Sequence, residues 1–431
     1  MEPISLSLRT RFGADFIWNL GSLAVLGVSG IVVNLLIARW GGSSDLGVFN
    51  QVFAFFIFLS QICVGGVHFS VLKEISDSSR ERPELSDIAS AGVVLAFSLA
   101  SLVVLCCMPW TASVGELLQS PAVAQGLGLA LPGIVFFSVN KVLLNILNGL
   151  RHMRAHAVFQ ALRYLLLVSA IAGVFIFDLD RTWLSGTLTF TEIVLLSFLA
   201  PYVHFRSIPL ISRVGGRWRR LSSWARAHLW FGTRGMFSGV FTELNTRVDV
   251  LVLGFFFDDA KVGIYSFAAV FAEGFAQIPL VLRRNLDPLF GASIAQGKLC
   301  EIRPLVQRTR KLFFPLMLGL GAVSTLVYAA ILPLLVADPS YGESVWVYGI
   351  LAGAISVSAW FRPFGGLLLQ GGFPGTYTVM TLAALAVNGM LALLLAPALG
   401  LVGCALAAAA SFAAEALLLV VLTRLRMSVR V

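Results

Sequence analysis

The sequence predicts an all-α polytopic membrane protein, with about 12 transmembrane helices in two six-helix lobes related by a parallel internal repeat. Three observations carry that prediction. Of 431 residues, 58% are hydrophobic and 12% charged, against about 25% charged in an ordinary soluble domain. Apolar stretches long enough to span a bilayer recur along nearly the whole chain. Residues 216 positions apart match at equivalent places in the two halves. The mean hydropathy is +0.88. No soluble fold of this length hides that much apolar surface, and disordered chains are poor in apolar residues, so both classes are excluded.

Windows of about 19 residues place the spans near 16–38, 46–72, 88–109, 122–147, 159–177, 183–201, 231–257, 262–284, 311–336, 344–369, 376–396 and 400–422. The first follows Arg9 and Arg11, as a signal peptide would. It is too long for a signal h-region and ends at Arg39-Trp40 without a small-residue cleavage site, so it reads as a retained span. The third and fourth flank the longest outer loop, about 109–122, which is too small to be a catalytic domain. Threonines and Glu192 dilute the sixth span, and the seventh is the most polar. The eighth and tenth carry Pro279 and Pro363, and the twelfth is rich in alanine from Ala405 to Ala414. Asn388 and that alanine run suggest close helix packing.

Loop charge orients the spans. One set of alternate loops and the termini holds 23 of the 31 Lys and Arg residues, the opposite set only Arg39, Arg181 and Lys261. The positive-inside rule then puts both termini in the cytoplasm. The net charge of +9 thus belongs with the membrane rather than with nucleic acid. The long basic inner loops, 202–230 and 285–310, suit a surface of anionic lipid. The domain division expected is a lobe over 1–205, a basic cytoplasmic linker over 206–230 and a second lobe over 231–431.

The repeat supports the division. Leu35-Leu36-Ile37 falls on Leu251-Val252-Leu253, and Leu46-Gly47-Val48-Phe49 on Val262-Gly263-Ile264-Tyr265. Asn148-Gly149 and Gln370-Gly371 echo each other at a spacing of 222. An even number of helices per half inserts both halves the same way up, a parallel arrangement found in several transporter folds. Two such lobes imply a cleft that opens to each side in turn.

Ionisable groups inside spans cost roughly 2.5–3.5 kcal/mol each at a helix centre and usually face a protein interior or a wet cavity. The basic ones are Lys141, Arg163, Arg234, Arg247 and Arg362; the acidic ones are Glu192, Glu243, Asp249, Glu273 and Glu415. Helical spacing gathers Ser138, Lys141, Asn145 and Asn148 into one polar stripe. It puts Arg234, Ser238, Thr242, Asn245 and Asp249 on one face of the seventh span. Glu243 and Arg247 on another face are spaced i,i+4, close enough to neutralise each other. Arg362, beside a helix-bending proline, is a candidate for holding an anion. Lys141, Arg163 and Arg234 also lie shallow enough to snorkel to the inner surface.

No Walker A, Gly-x-Ser-x-Gly or His-Glu-x-x-His sequence occurs. The five cysteines and five histidines lack metal-ligand spacing. The chain is therefore expected to use no cofactor or metal and to be no enzyme.

The chain resembles the bacterial polysaccharide (O-antigen, Wzx-type) flippases of the multidrug/oligosaccharidyl-lipid/polysaccharide exporter superfamily. The resemblance is carried by Asn34-Leu-Leu-Ile-Ala-Arg39-Trp-Gly-Gly-Ser-Ser-Asp-Leu-Gly47-Val-Phe49 and by Asp249-Val-Leu-Val-Leu-Gly254 with Val262-Gly-Ile-Tyr265. Gly400-Leu-Val-Gly403-Cys-Ala-Leu-Ala407 adds to it. The resemblance implies movement of an undecaprenyl-pyrophosphate-linked oligosaccharide across the bacterial inner membrane. The partners it implies are that lipid-linked substrate, membrane lipids and other polysaccharide-assembly membrane proteins, with no nucleic acid. Lys141, Arg163, Arg234, Arg247, Arg362 and Asn145 are the candidates for an anion-binding cleft, since arginine grips phosphate through paired hydrogen bonds. Family members are thought to be ion-driven, which makes Glu243, Asp249, Glu273 and Glu192 the coupling candidates. The alternative is a multidrug/cation antiporter of the same superfamily, for which acidic clefts and dye export are expected.

Overall fold

In a computed structural model the chain is helical almost throughout. The structure describes residues 6–77, 79–210 and 217–427, and no strand occurs among them. Two compact units emerge: one from Met1–Leu36 and Phe55–Val240, the other from Ile37–Ala54 and Phe241–Val431.

The first unit holds most of α1 (Leu6–Trp40), the C-terminal part of α2 (Gly42–Val64), α3 (Val67–Ile75), α4 (Arg82–Cys107), α5 (Thr111–Leu117), α6 (Pro121–Gly149), α7 (Met153–Ile176) and α8 (Trp183–Tyr202). Most of α9 (Arg217–Asn245) also belongs to it. Helix α6 is its centre. It packs on α3, α4, α5, α7 and α8 and buries residues on every face, among them Ile134, Val142, Leu143, Ile146 and Leu147, as an all-round apolar helix must. Pro132 interrupts its hydrogen-bond ladder, and Thr189 Oγ1 of α8 donates to the nearby Leu129 carbonyl at 2.6 Å. Gly133 permits this approach, because a Cβ there would stand 2.7 Å from Thr189 Cα.

The first half of α9 docks on α3 and α4. Arg220 Nε meets Asp87 Oδ2 at 2.6 Å. His228 is fully buried, with Nδ1 2.9 Å from Ser70 Oγ and Nε2 3.2 Å from the Ile88 carbonyl. Burial holds its imidazole below the ordinary histidine range.

The second unit holds α10 (Val248–Phe256), α11 (Asp259–Ala295), α12 (Ile302–Leu335), α13 (Glu343–Ser358), α14 (Leu367–Gln370) and α15 (Pro374–Met427). Helix α13 packs on α11, α12 and α15, and α10 on α15. Leu286, Phe290, Ile302, Val306, Phe364, Leu367, Met380 and Leu419 form its core. The N-terminal part of α2 belongs to this unit and lies against the start of α11. There Gly47 meets the Asp259 carbonyl, Gly263 meets that of Ser43, and Gln51 Nε2 donates to Asp259 Oδ1 at 2.7 Å.

Among the described residues nine helices are long and apolar enough to cross a membrane. A tenth span is Pro339–Ser358 continued, after a 53° bend, by Arg362–Gln370. Gly400, with φ 62° and ψ −138°, divides α15, a conformation open to glycine without a Cβ penalty. That break makes an eleventh span. The twelfth is residues 231–256, too polar to pass on composition but matching the predicted seventh span; it is broken at Thr246–Arg247 between α9 and α10. Twelve spans are thus accounted for among the described residues.

Candidate functional site

In the first unit α6, α7 and α8 converge on one carboxylate. Arg163 of α7 approaches Glu192 of α8 through two nitrogens, Nε to Oε1 at 2.9 Å and Nη2 to Oε2 at 3.2 Å. Asn140 of α6 donates its amide to Glu192 Oε2 at 2.8 Å and to the Glu192 carbonyl at 2.9 Å. The Arg163 and Glu192 side chains are only 12% and 5% exposed. Such a pair is costly to desolvate and more costly to break. The Phe137 ring lies 4.7 Å from the Arg163 guanidinium and 5.9 Å from the Lys141 ammonium. Lys141 Nζ donates to a neutral partner, Gln61 Oε1 of α2, at 2.8 Å. Asn145 turns its amide back to the Lys141 carbonyl, 2.8 Å away.

In the second unit the seventh span differs from its expected geometry. Glu243 and Arg247 do not form the i,i+4 pair, because the helix breaks between them: Arg247 caps α10 with φ −130° and ψ −10°. Arg247 instead reaches α11, where Nη1 meets Glu273 Oε1 at 3.3 Å and Nη2 meets Oε2 at 3.4 Å. Its guanidinium also lies 5.3 Å from the Phe53 ring. These two side chains are 21% and 38% exposed, so this pair keeps an open side that Arg163 and Glu192 lack. The same break separates Asn245 from Asp249, correcting the single polar face expected. Asp249 is buried and accepts hydrogen bonds from the Tyr265 hydroxyl and, at 3.0 Å, from the Val250 amide. Asn245 accepts from Asn388 Nδ2, through its carbonyl at 3.2 Å, and its Oδ1 lies 3.5 Å from Ser411 Oγ.

The remaining candidates separate. Arg362 stands at the bend of the tenth span and stacks on Phe412, 4.2 Å from the ring centre. The side chain of Arg234 lies outside the described residues. Sequence reasoning missed Asn140 and Gln61, whose only signal is an amide amid apolar neighbours, and Tyr265. It saw Asn388 but assigned it packing alone.

Twelve spans, the seventh polar and broken, with charged side chains inside them define a polytopic membrane protein, and solved structures share its fold. An inward-facing multidrug-resistance transporter of the MATE family aligns with TM-score 0.77 at 13% identity, covering 93% of this chain and 94% of that one. The lipid II flippase MurJ in an inward closed conformation aligns with TM-score 0.73 at 13% identity, covering 95% and 87%. A transporter of the MOP superfamily from Pyrococcus furiosus aligns with TM-score 0.66 at 14% identity, covering 96% and 94%. At these identities the likeness is one of fold. No curated protein matches the sequence. The chain belongs to the polysaccharide biosynthesis protein family, whose model matches residues 12–276.

Proposed function

We propose that the protein moves an undecaprenyl-pyrophosphate-linked oligosaccharide repeat unit from the cytoplasmic to the periplasmic leaflet of a bacterial inner membrane. Alternating access between the lobes and an ion gradient drive the transfer, and both termini lie in the cytoplasm. The observation that carries this reading is the polysaccharide-biosynthesis family match over residues 12–276, on a chain that keeps several arginines inside its spans. Lys141, Arg163, Arg234, Arg247 and Arg362, with Asn145, supply the cationic path for an anionic head group. Glu192, Glu243, Asp249 and Glu273 supply groups that a coupling ion can address. The Arg247–Glu273 pair suits coupling, because protonation of Glu273 frees the guanidinium for phosphate.

Deleting the gene tests this. Surface polysaccharide is expected to fall and its lipid-linked repeat units to accumulate on the inner leaflet. Unchanged polysaccharide and intermediates, with increased sensitivity to cationic dyes, would favour the drug antiporter instead.

A further inference from the structure

The bend in the tenth span gathers cations that the sequence did not group. Helix α13 ends at Ser358 and a 3-10 turn follows over Arg362–Phe364, with Pro363 unable to donate. The Trp360 carbonyl, released by this break, accepts from Arg310 Nε of α12 at 2.8 Å. Arg310 is held between the rings of Trp360, Phe361 and Phe364, at 4.9, 5.0 and 5.3 Å. The bend is therefore a braced feature.

Two more guanidiniums lie beside it. A Cβ built on Gly365 would stand 3.3 Å from Arg283 Nη1, so Arg283 of α11 lies against the backbone of the turn. The same Cβ would stand 3.4 Å from the Arg362 carbonyl oxygen, so the Arg283 guanidinium and Arg362 meet at one turn. Arg283 has one ionic neighbour, Asp287 Oδ2, 3.7 Å from its Nε. Its guanidinium lies 5.6 Å from the Tyr377 ring. Among the described residues neither Arg283 nor Arg362 donates a hydrogen bond, and the Tyr377 hydroxyl makes none. Two guanidiniums with unused N–H forks, brought to one turn and each set against an aromatic ring, are a receptor for a doubly charged oxyanion. In the predicted topology all of these residues sit toward the cytoplasmic ends of their spans.

We propose that Arg283, Arg362 and Tyr377, braced by Arg310, form a binding site for the phosphate groups of a lipid head group at the bend of the tenth span. The occupant is the diphosphate of the lipid-linked substrate, caught as it leaves the inner leaflet. This rests on the flippase reading above. A bilayer phospholipid offers the same phosphate chemistry, so the test separates the two sources.

The test is equilibrium binding of radiolabelled undecaprenyl diphosphate to the purified full-length protein in phosphatidylcholine nanodiscs. Arg283→Gln and Arg362→Gln are each expected to weaken binding about tenfold, the loss of one charge-assisted fork. Arg362→Lys keeps the charge without the fork and should fall between, and undecaprenol should not compete. Wild-type affinity in both glutamine variants overturns the site. If Arg362→Gln does not fold, Arg283→Gln and Arg362→Lys decide between these outcomes. Displacement of the probe by phosphatidylglycerol in the nanodisc overturns the assignment to the substrate and gives the site to a phospholipid. Complementation of the deletion strain is read separately. If deletion leaves surface polysaccharide unchanged, the flippase reading fails whatever the binding result. If deletion abolishes it and both variants restore it with normal binding, the site alone fails.

Discussion

Gly47 and Gly263 stand 216 residues apart in the chain and meet reciprocally in the second unit. A Cβ on Gly47 would strike the Asp259 carbonyl, and one on Gly263 would strike that of Ser43. Asp259 and Ser43 are themselves 216 apart, so the repeat seen in the sequence reappears as a two-fold exchange of backbone contacts. Gly47→Ala and Gly263→Ala should each lower stability by about 1–3 kcal/mol, the range for forcing a methyl into a packed contact. Gly128→Ala, which meets open space, is the control and should not lower the melting temperature. Equal melting temperatures for all three would contradict the exchange.

The pair formed by Arg163 and Glu192 is sealed. Arg163→Ala strands the carboxylate among apolar helices and should cost about 3–5 kcal/mol. A double replacement by apolar residues of similar volume should recover most of that loss. Chemical denaturation in detergent micelles reads both values, and an Arg163→Ala variant as stable as wild type would refute the sealing.

Arg247 and Glu273 should behave in the opposite way. Both are partly exposed, so solvent screening limits the pair to about 0–1 kcal/mol. Arg247→Ala and Glu273→Gln should leave membrane protein levels near wild type while surface polysaccharide falls at least severalfold. Full complementation by both variants would remove them from the transport path.

His228 gives a pH dependence. Its folded-state pKa is depressed by burial, against about 6.5 in an unfolded chain. Its contribution is therefore complete above pH ~6.5 and is lost as pH falls below that value toward the folded pKa. Stability should decline between pH 7 and 5, and His228→Asn should flatten that slope. An unchanged slope in the variant would assign the decline to other groups.

The spans, their number and the duplication were legible because bilayer thickness imposes a length that apolar runs reveal directly. The bend at Arg362-Pro363 was legible through its proline. The break at Thr246–Arg247 was not: neither residue is a glycine or proline, so no local breaker residue marks it. That single break redirected Arg247 from Glu243 to Glu273. Asn140 escaped notice for a related reason, since an amide's value depends on what lies across the helix interface, and Glu192 is 52 positions away. The cluster at the tenth span joins Arg283, Arg310 and Tyr377 from three helices with Arg362 from the turn between two others, and no spacing rule within one helix could assemble it.

Residues 37–54 belong to the second compact unit although they precede most of the first. A gene split within residues 206–230 would therefore yield two fragments, neither of which encodes a whole unit: the leading fragment carries away residues 37–54, which belong to the second unit, and the trailing one keeps the end of the first, up to Val240. Such fragments should be degraded when made singly and rescued when made together, so cutting and rejoining this protein is a question of mutual templating rather than of modular assembly.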